Sequence, residues 1–299
     1  MSELALRPVT LASLSRDYLE LSKSRIVLMV LITTAAGYLM GAPHVDALAL
    51  LHTLVGTALV AAGTNALNQY VEREHDARMR RTRLRPLPSG RITPRAALVF
   101  SAGVAILGTV YLAVAVNWLT AILGAVTLSS YIFVYTPLKR VSTICTIVGA
   151  IPGAIPPLMG WTAATNSLTL GGWIAFGILF LWQLPHFMAI SWIYREDYDR
   201  AGFAMLATRD GNGLATARQA VFFAILLLPV SIAPSILGLF TGTAGAIYLI
   251  GSLGAGAAFI AASYGFYFDR TNRTARRLFM VSNLYLMTVM TLLVVAARA

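Results

Sequence analysis

Asn68, Glu72 and Asp76 follow one another at intervals of four residues. On a helix that spacing stacks an amide oxygen and two carboxylates in a single stripe. Like charges one turn apart repel, and a divalent cation between them removes the cost. Hard oxygens of this kind suit Mg²⁺, which keeps waters and completes its shell with phosphate oxygens. Glu74 lies off the stripe and is a candidate for a second ion or a neighbouring arginine. Behind the stripe come Arg78, Arg80, Arg81, Arg83 and Arg85. A second acidic group, Glu196, Asp197 and Asp199, follows an apolar run that carries Gln183, Pro185 and His186. Asp197 is a candidate second ligand for the metal. Polar groups inside an apolar span usually face the bundle interior. A proline at position 185 is expected to bend such a span. A third segment pairs Tyr131 and Tyr135 with Lys139 and Arg140. Acids that hold Mg²⁺ beside cations that clamp phosphates, below an apolar cavity, suggest a substrate with a diphosphate head and a long hydrocarbon tail. A Walker A sequence is missing, which argues against nucleotide hydrolysis.

The elements that must position these groups are membrane helices. Hydrophobic residues make up 58% of the 299 and charged residues only 12%, too few charges to cover a water-soluble globule. Disorder is excluded on the same ground. A single cysteine, Cys145, excludes a disulfide-stapled module. Nine stretches are long and apolar enough to span a bilayer, near 26–42, 47–67, 96–116, 118–136, 143–163, 171–190, 217–239, 243–265 and 278–297. The alternation of a β-barrel is absent. The expected fold is therefore an all-α integral membrane protein: one membrane domain over 1–299, with a segment 1–25 ahead of a nine-helix bundle at 26–297. With nine spans, 22 of the 23 Lys and Arg fall on one side and only Arg298 on the other. The net charge of +11 is thus a topology signal rather than a nucleic-acid surface. The positive-inside rule puts the N-terminus in the cytoplasm and the C-terminus outside. Acidic residues among the first 25, Glu3, Asp17 and Glu20, speak against a cleavable signal or a transit peptide. A prokaryotic plasma membrane is the expected location. Spans 2, 4 and 6 run in the same direction, so the three clusters are expected at one face.

The run Asn68-x-x-x-Glu72-x-Glu74-x-Asp76-x-x-Met79-x-Arg81-Thr82-x-x-Arg85-Pro86-Leu87 resembles the first signature of the UbiA-type intramembrane prenyltransferases. Within that family it is most similar to the protohaem IX farnesyltransferase (haem O synthase) branch. Tyr135-Thr136-x-Leu138-Lys139-Arg140, the Gly- and Pro-rich stretch from Gly149 to Trp161, Trp182-Gln183-x-Pro185-His186-Phe187 and Asp197-Tyr198-x-x-Ala201-Gly202 come after it in the same order. The resemblance spans roughly residues 20–295. It implies nine helices around a central cavity and Mg²⁺-dependent transfer of farnesyl from farnesyl diphosphate to a vinyl group of haem B, with water addition to give haem O. By residue, it implies that Asn68, Glu72 and Asp76 hold the metal, with Asp197 as partner and Glu74 as a further candidate. Arg81, Arg85, Lys139 and Arg140 would bind the diphosphate, and His186 would contact haem at iron or at a propionate. The lipid bilayer is the medium, and haem A synthase or terminal oxidase assembly proteins are candidate partners.

Three positions depart from the family pattern. Glu72 and Glu74 stand where aspartates are common. Ala201 replaces the second acid of the D-x-x-x-D found in quinone-type relatives. The competing readings are a UbiA-type enzyme with an aromatic, quinone-precursor acceptor, a secondary transporter, and a non-catalytic haem-handling protein.

Overall fold

The computed structural model describes residues 10–299. Glu3 and Arg7 lie outside the described residues. Short α1 (Leu11–Leu21) precedes the spanning helices α2 (Ser24–Gly41), α3 (Ala47–Asp76) and α4 (Pro94–Ala115). α5 (Trp118–Ser129) continues through a π-helical turn, Ser130–Tyr135, into α6 (Thr136–Leu138). Then come α7 (Cys145–Thr165), α8 (Leu170–Ile193), the short α9 (Arg195–Arg200) and α10 (Leu206–Arg209), and α11 (Leu214–Ile236), α12 (Gly242–Phe268) and α13 (Asn272–Arg298). Among the described residues nine helical segments are long and apolar enough to cross a membrane.

Local chemistry sets the helix ends. Asp46 caps α3 by accepting from the Leu48 and Ala49 amides. Thr93 caps α4 and is followed by Pro94, a pairing suited to a helix start. Asn117 caps α5, and Asn166 in the left-handed region closes α7. Two ends differ from the expected spans in a way that matters for the site. α3 runs to Asp76 rather than stopping near 67, so one rigid helix carries the whole stripe. α8 stays helical through Pro185 to Ile193.

The exterior is apolar and much of the interior is small or polar. Ile106, Val114, Ile250, Phe268 and Leu284 are exposed, whereas Thr34, Thr57, Ser101, Thr120 and Ser252 are buried. Lipid tails are as apolar as leucine, so close packing must hold the helices together. Gly37 of α2 and Gly160 of α7 make one crossing: a Cβ on Gly37 would lie 1.9 Å from the Pro157 carbonyl oxygen, and one on Gly160 would lie 1.8 Å from that of Thr34. The second half packs around Tyr248, Phe259, Phe266 and Tyr285. There the Tyr248 hydroxyl donates to the Ser231 carbonyl, and Ser231 and Tyr285 share a hydrogen bond.

Candidate active site

The end of α3 gathers the three clusters. Asn68, Glu72 and Asp76 are 1%, 4% and 1% exposed, so all three face inward. Each has a cationic partner from a different segment. Lys23 Nζ donates to Asn68 Oδ1 at 2.8 Å. Lys139 Nζ donates to Glu72 Oε1 at 2.7 Å, and Arg85 Nη1 to Asp76 Oδ2 at 2.7 Å. Glu74 sits elsewhere: its side chain is 75% exposed and pairs with Arg73.

The π-helical turn delivers Lys139. Inserting a residue into the helical ladder rotates the downstream residues about the axis, and Thr136 Oγ1 donates to the Tyr131 carbonyl at 2.8 Å to hold the turn. Asn68 Nδ2 then donates to Thr136 Oγ1 at 3.3 Å, locking α6 onto α3. Lys139 Nζ lies 4.5 Å from the Tyr135 ring centre and 5.7 Å from that of Phe203. Burial pushes the Lys139 ammonium down, but Glu72 outweighs it and holds the group well above the usual lysine range. Arg140 is exposed and reaches only the Val71 carbonyl, at 3.4 Å.

Asp197 is held differently. Its Oδ1 accepts from the Arg80 amide at 3.1 Å and its Oδ2 from the Arg81 amide at 3.4 Å, and Arg200 closes an ion pair with it. Burial pushes the carboxyl up, but Arg200 and the two amides together hold it below the usual carboxylate range. The carboxylate therefore anchors the 77–86 loop to α9. The anchored Arg81 guanidinium lies over Tyr194 at 4.7 Å. His75, on the last turn of α3, ties that helix to the residue after α9 through Nδ1 and the Ala201 carbonyl, 2.8 Å apart. Ala201 itself is fully buried in an apolar cluster with Met79, Cys145, Phe203 and Met205. A carboxylate there would lie among carbon and sulfur, which explains the missing second acid of D-x-x-x-D.

His186 lies on α8, apart from the charged end and 8% exposed. Its Nδ1 is 2.8 Å from Ser282 Oγ, and Ser282 Oγ donates to the Phe279 carbonyl at 2.7 Å. When Ser282 gives its hydrogen to that carbonyl it accepts from Nδ1–H, which leaves the Nε2 lone pair available. Trp182 and Phe279 flank the imidazole, with ring centres at 4.8 and 4.9 Å. Gln183 serves packing: its amide donates to the Ala150 and Leu179 carbonyls. A separate cavity of about 870 Å³ opens at the opposite end, lined by Met40, Trp161, Phe240 and Leu293 among others, and contains none of these residues.

Mg²⁺ fits the stripe on one observation in particular. Asp76 Oδ1 is buried and, among the described residues, has no hydrogen-bond partner. Among the described residues, no three His, Cys, Asp or Glu side chains form a closed metal cage. An amide and two carboxylates leave positions open, as a metal shared with a phosphate substrate requires. Residue type and spacing do not single out Lys23, Ser282 or His75, which the fold brings to these sites. Lys23 stands among the topology charges, Ser282 is one hydroxyl in an apolar span, and His75 sits between the acids of the stripe.

Among the described residues, nine membrane-length helices carry an acid stripe with matched cations at one end, the features of an intramembrane enzyme. The UbiA prenyltransferase family matches residues 30–288, and the chain belongs to that family. It is 47% identical over 281 residues to "Protoheme IX farnesyltransferase" of Solibacter usitatus, covering 91% of this chain and 95% of that one. It is 44% identical to the protein of the same name from Salinibacter ruber, covering 93% and 98%. Among solved structures, digeranylgeranylglyceryl phosphate synthase shares the fold with a TM-score of 0.79 at 23% identity, covering 95% of this chain and 98% of that one. A UbiA homolog from Archaeoglobus fulgidus bound to GPP and Mg²⁺ does so with a TM-score of 0.64 at 15% identity, covering 93% and 99%.

Proposed function

We propose that this protein transfers the farnesyl group of farnesyl diphosphate to a vinyl group of haem B, giving haem O and diphosphate. The observation that carries the reading is kinship at 47% and 44% identity along nearly the whole chain with farnesyltransferases of protohaem IX. The packed Ala201 adds a physical reason to prefer it over the quinone-type alternative. A transporter would place charged groups near mid-membrane in both halves, whereas the buried acids here crowd one end.

Asn68, Glu72 and Asp76 would hold Mg²⁺, which neutralises charge on the departing diphosphate when bound. Arg81, Arg85, Lys139 and Arg140 bind diphosphate oxygens and stabilise the negative charge that grows as the C1–O bond breaks. Asp197 acts through the loop it anchors, keeping Arg81 in place. The buried helices exclude water while farnesyl C1 is cationic, and the rings of Tyr131 and Tyr135 face that charge. The terminal vinyl carbon of haem bonds to C1. The cation then rests on the carbon beside the porphyrin, where water adds and loses a proton. His186 meets haem, with Nε2 as a lone-pair donor to iron. The basic end faces the cytoplasm of a prokaryotic plasma membrane, and haem A synthase or oxidase assembly proteins take the product.

Purified protein incubated with haem B, farnesyl diphosphate and Mg²⁺ is expected to yield haem O by chromatography and mass. EDTA should abolish it, and Asp76→Asn should lower it about 10²–10³-fold. Farnesyl transfer to an aromatic acid in place of haem would overturn the acceptor while keeping the site.

A further inference from the structure

Lys23 has a backbone conformation that its side chain does not explain. Its φ of 52° and ψ of 56° lie in the left-handed region, which L residues other than glycine and asparagine enter at a cost. Among the described residues only Asn166 shares a positive φ without being glycine, and it closes a helix, where asparagine is at home. The surroundings hold the Lys23 corner. Gln69 of α3 donates to the Glu20 carbonyl at 3.0 Å and the Leu21 carbonyl at 2.7 Å. Leu21 is fully buried, and Arg91 forms ion pairs with Asp17 and Glu20 on α1.

The corner turns the ammonium onto Asn68, the first member of the stripe. Asn68 offers a neutral amide oxygen, whereas the partners of Lys139 and Arg85 are carboxylates. Among the described residues, Lys23 is therefore the one of the three basic groups that is not already paired with an anion. Lys23 also lines an open cavity of about 420 Å³ together with Arg16 and Arg25.

We propose that Lys23 is a diphosphate-binding residue of the prenyl substrate site, supplied by the segment ahead of the first span. The ammonium exchanges the Asn68 amide oxygen for a phosphate oxygen when substrate enters. This frees the Asn68 oxygen within the stripe. The inference rests on the reading of the stripe as a prenyl diphosphate site.

The test uses Lys23→Gly and Lys23→Asn, both of which tolerate the left-handed backbone, with Lys23→Arg and the exposed Arg81→Ala beside them. Thermal midpoints without ligand, calorimetric binding of farnesyl thiodiphosphate with Mg²⁺, and KM for each substrate are measured on the full chain. The midpoints of the Gly and Asn variants are expected to match or exceed that of the wild type. Binding of the analogue should weaken about tenfold or more, as for loss of one charge-assisted contact. KM should rise for farnesyl diphosphate and stay constant for haem B, with Arg restoring most of the loss. Unchanged analogue binding in both Lys23 variants, with weakened binding in Arg81→Ala, overturns the inference and leaves the site reading intact. Unchanged binding in all of them overturns the site reading itself.

Discussion

The acids of the first and second clusters are satisfied by different kinds of partner. On α3, Asn68, Glu72 and Asp76 face the tips of Lys23, Lys139 and Arg85. At α9, Asp197 faces two backbone amides and Arg200. Long side chains can swing to a new anion and leave the oxygens to a metal. Backbone amides cannot move away unless the 77–86 loop moves with them. On the proposed reading the first cluster serves exchange and the second anchorage, although both read as acidic loops beside arginines.

The largest expected effect separates the two. Asp76→Asn or Glu72→Gln should lower turnover about 10²–10³-fold, the scale for loss of one preorganised electrostatic group, and raise the Mg²⁺ needed for half-maximal rate. Asp197→Asn should cost about tenfold, leave the Mg²⁺ requirement unchanged and speed hydrogen exchange across 77–86. Should Asp197→Asn instead match Asp76→Asn in both turnover and Mg²⁺ requirement, the second cluster is a metal site and the contrast fails.

The proposed haem contact at His186 sharpens the comparison from outside the charged region. Ser282→Ala removes the acceptor that fixes the Nδ1–H tautomer of His186. Loss of such an orienting partner costs about 10–100-fold in metal affinity. A weaker haem Soret titration with an unchanged KM for farnesyl diphosphate is the expected result, and a shift in both would mean that the two regions are coupled.

Acid should release the Asp197 anchor, whereas the lysine side of the Lys139–Glu72 pair is lost only to base. The Asp197 carboxyl is lower in the folded protein than its unfolded value of about 3.9, so its stabilising contribution is full above that value. It is lost as pH falls through the lowered folded value. Lys139 is raised, so its charge persists until pH climbs past the ordinary lysine range. Loop hydrogen exchange between pH 5 and 8 is expected to show no step from Asp197. The smallest effect lies far from both clusters. Gly37→Val pushes a side chain into the Pro157 carbonyl and should destabilise by about 1–3 kcal/mol, the usual cost of overpacking, with KM values preserved in the folded fraction.

The stripe was legible because helical periodicity is local: three residues four apart share a face wherever the helix continues. Hydropathy marked the spans and charge counting put the clusters on a common face for a similar reason, since each loop is short. The partners of the acids were not legible. Nothing in the order of residues tells that Asp197 meets the Arg80 and Arg81 amides across more than a hundred positions, or that a π-helical turn at Ser130–Tyr135 aims Lys139 at Glu72.

By itself the sequence determined an all-helical membrane bundle, its basic end and the shared face of Asn68, Glu72 and Asp76 on α3, because hydropathy and helical spacing act over tens of residues at most. The tertiary structure alone decided which cation meets which acid, why Ala201 is apolar and which nitrogen of His186 is free. Those depend on segments far apart in the chain being pressed together where water cannot supply the missing hydrogen bonds.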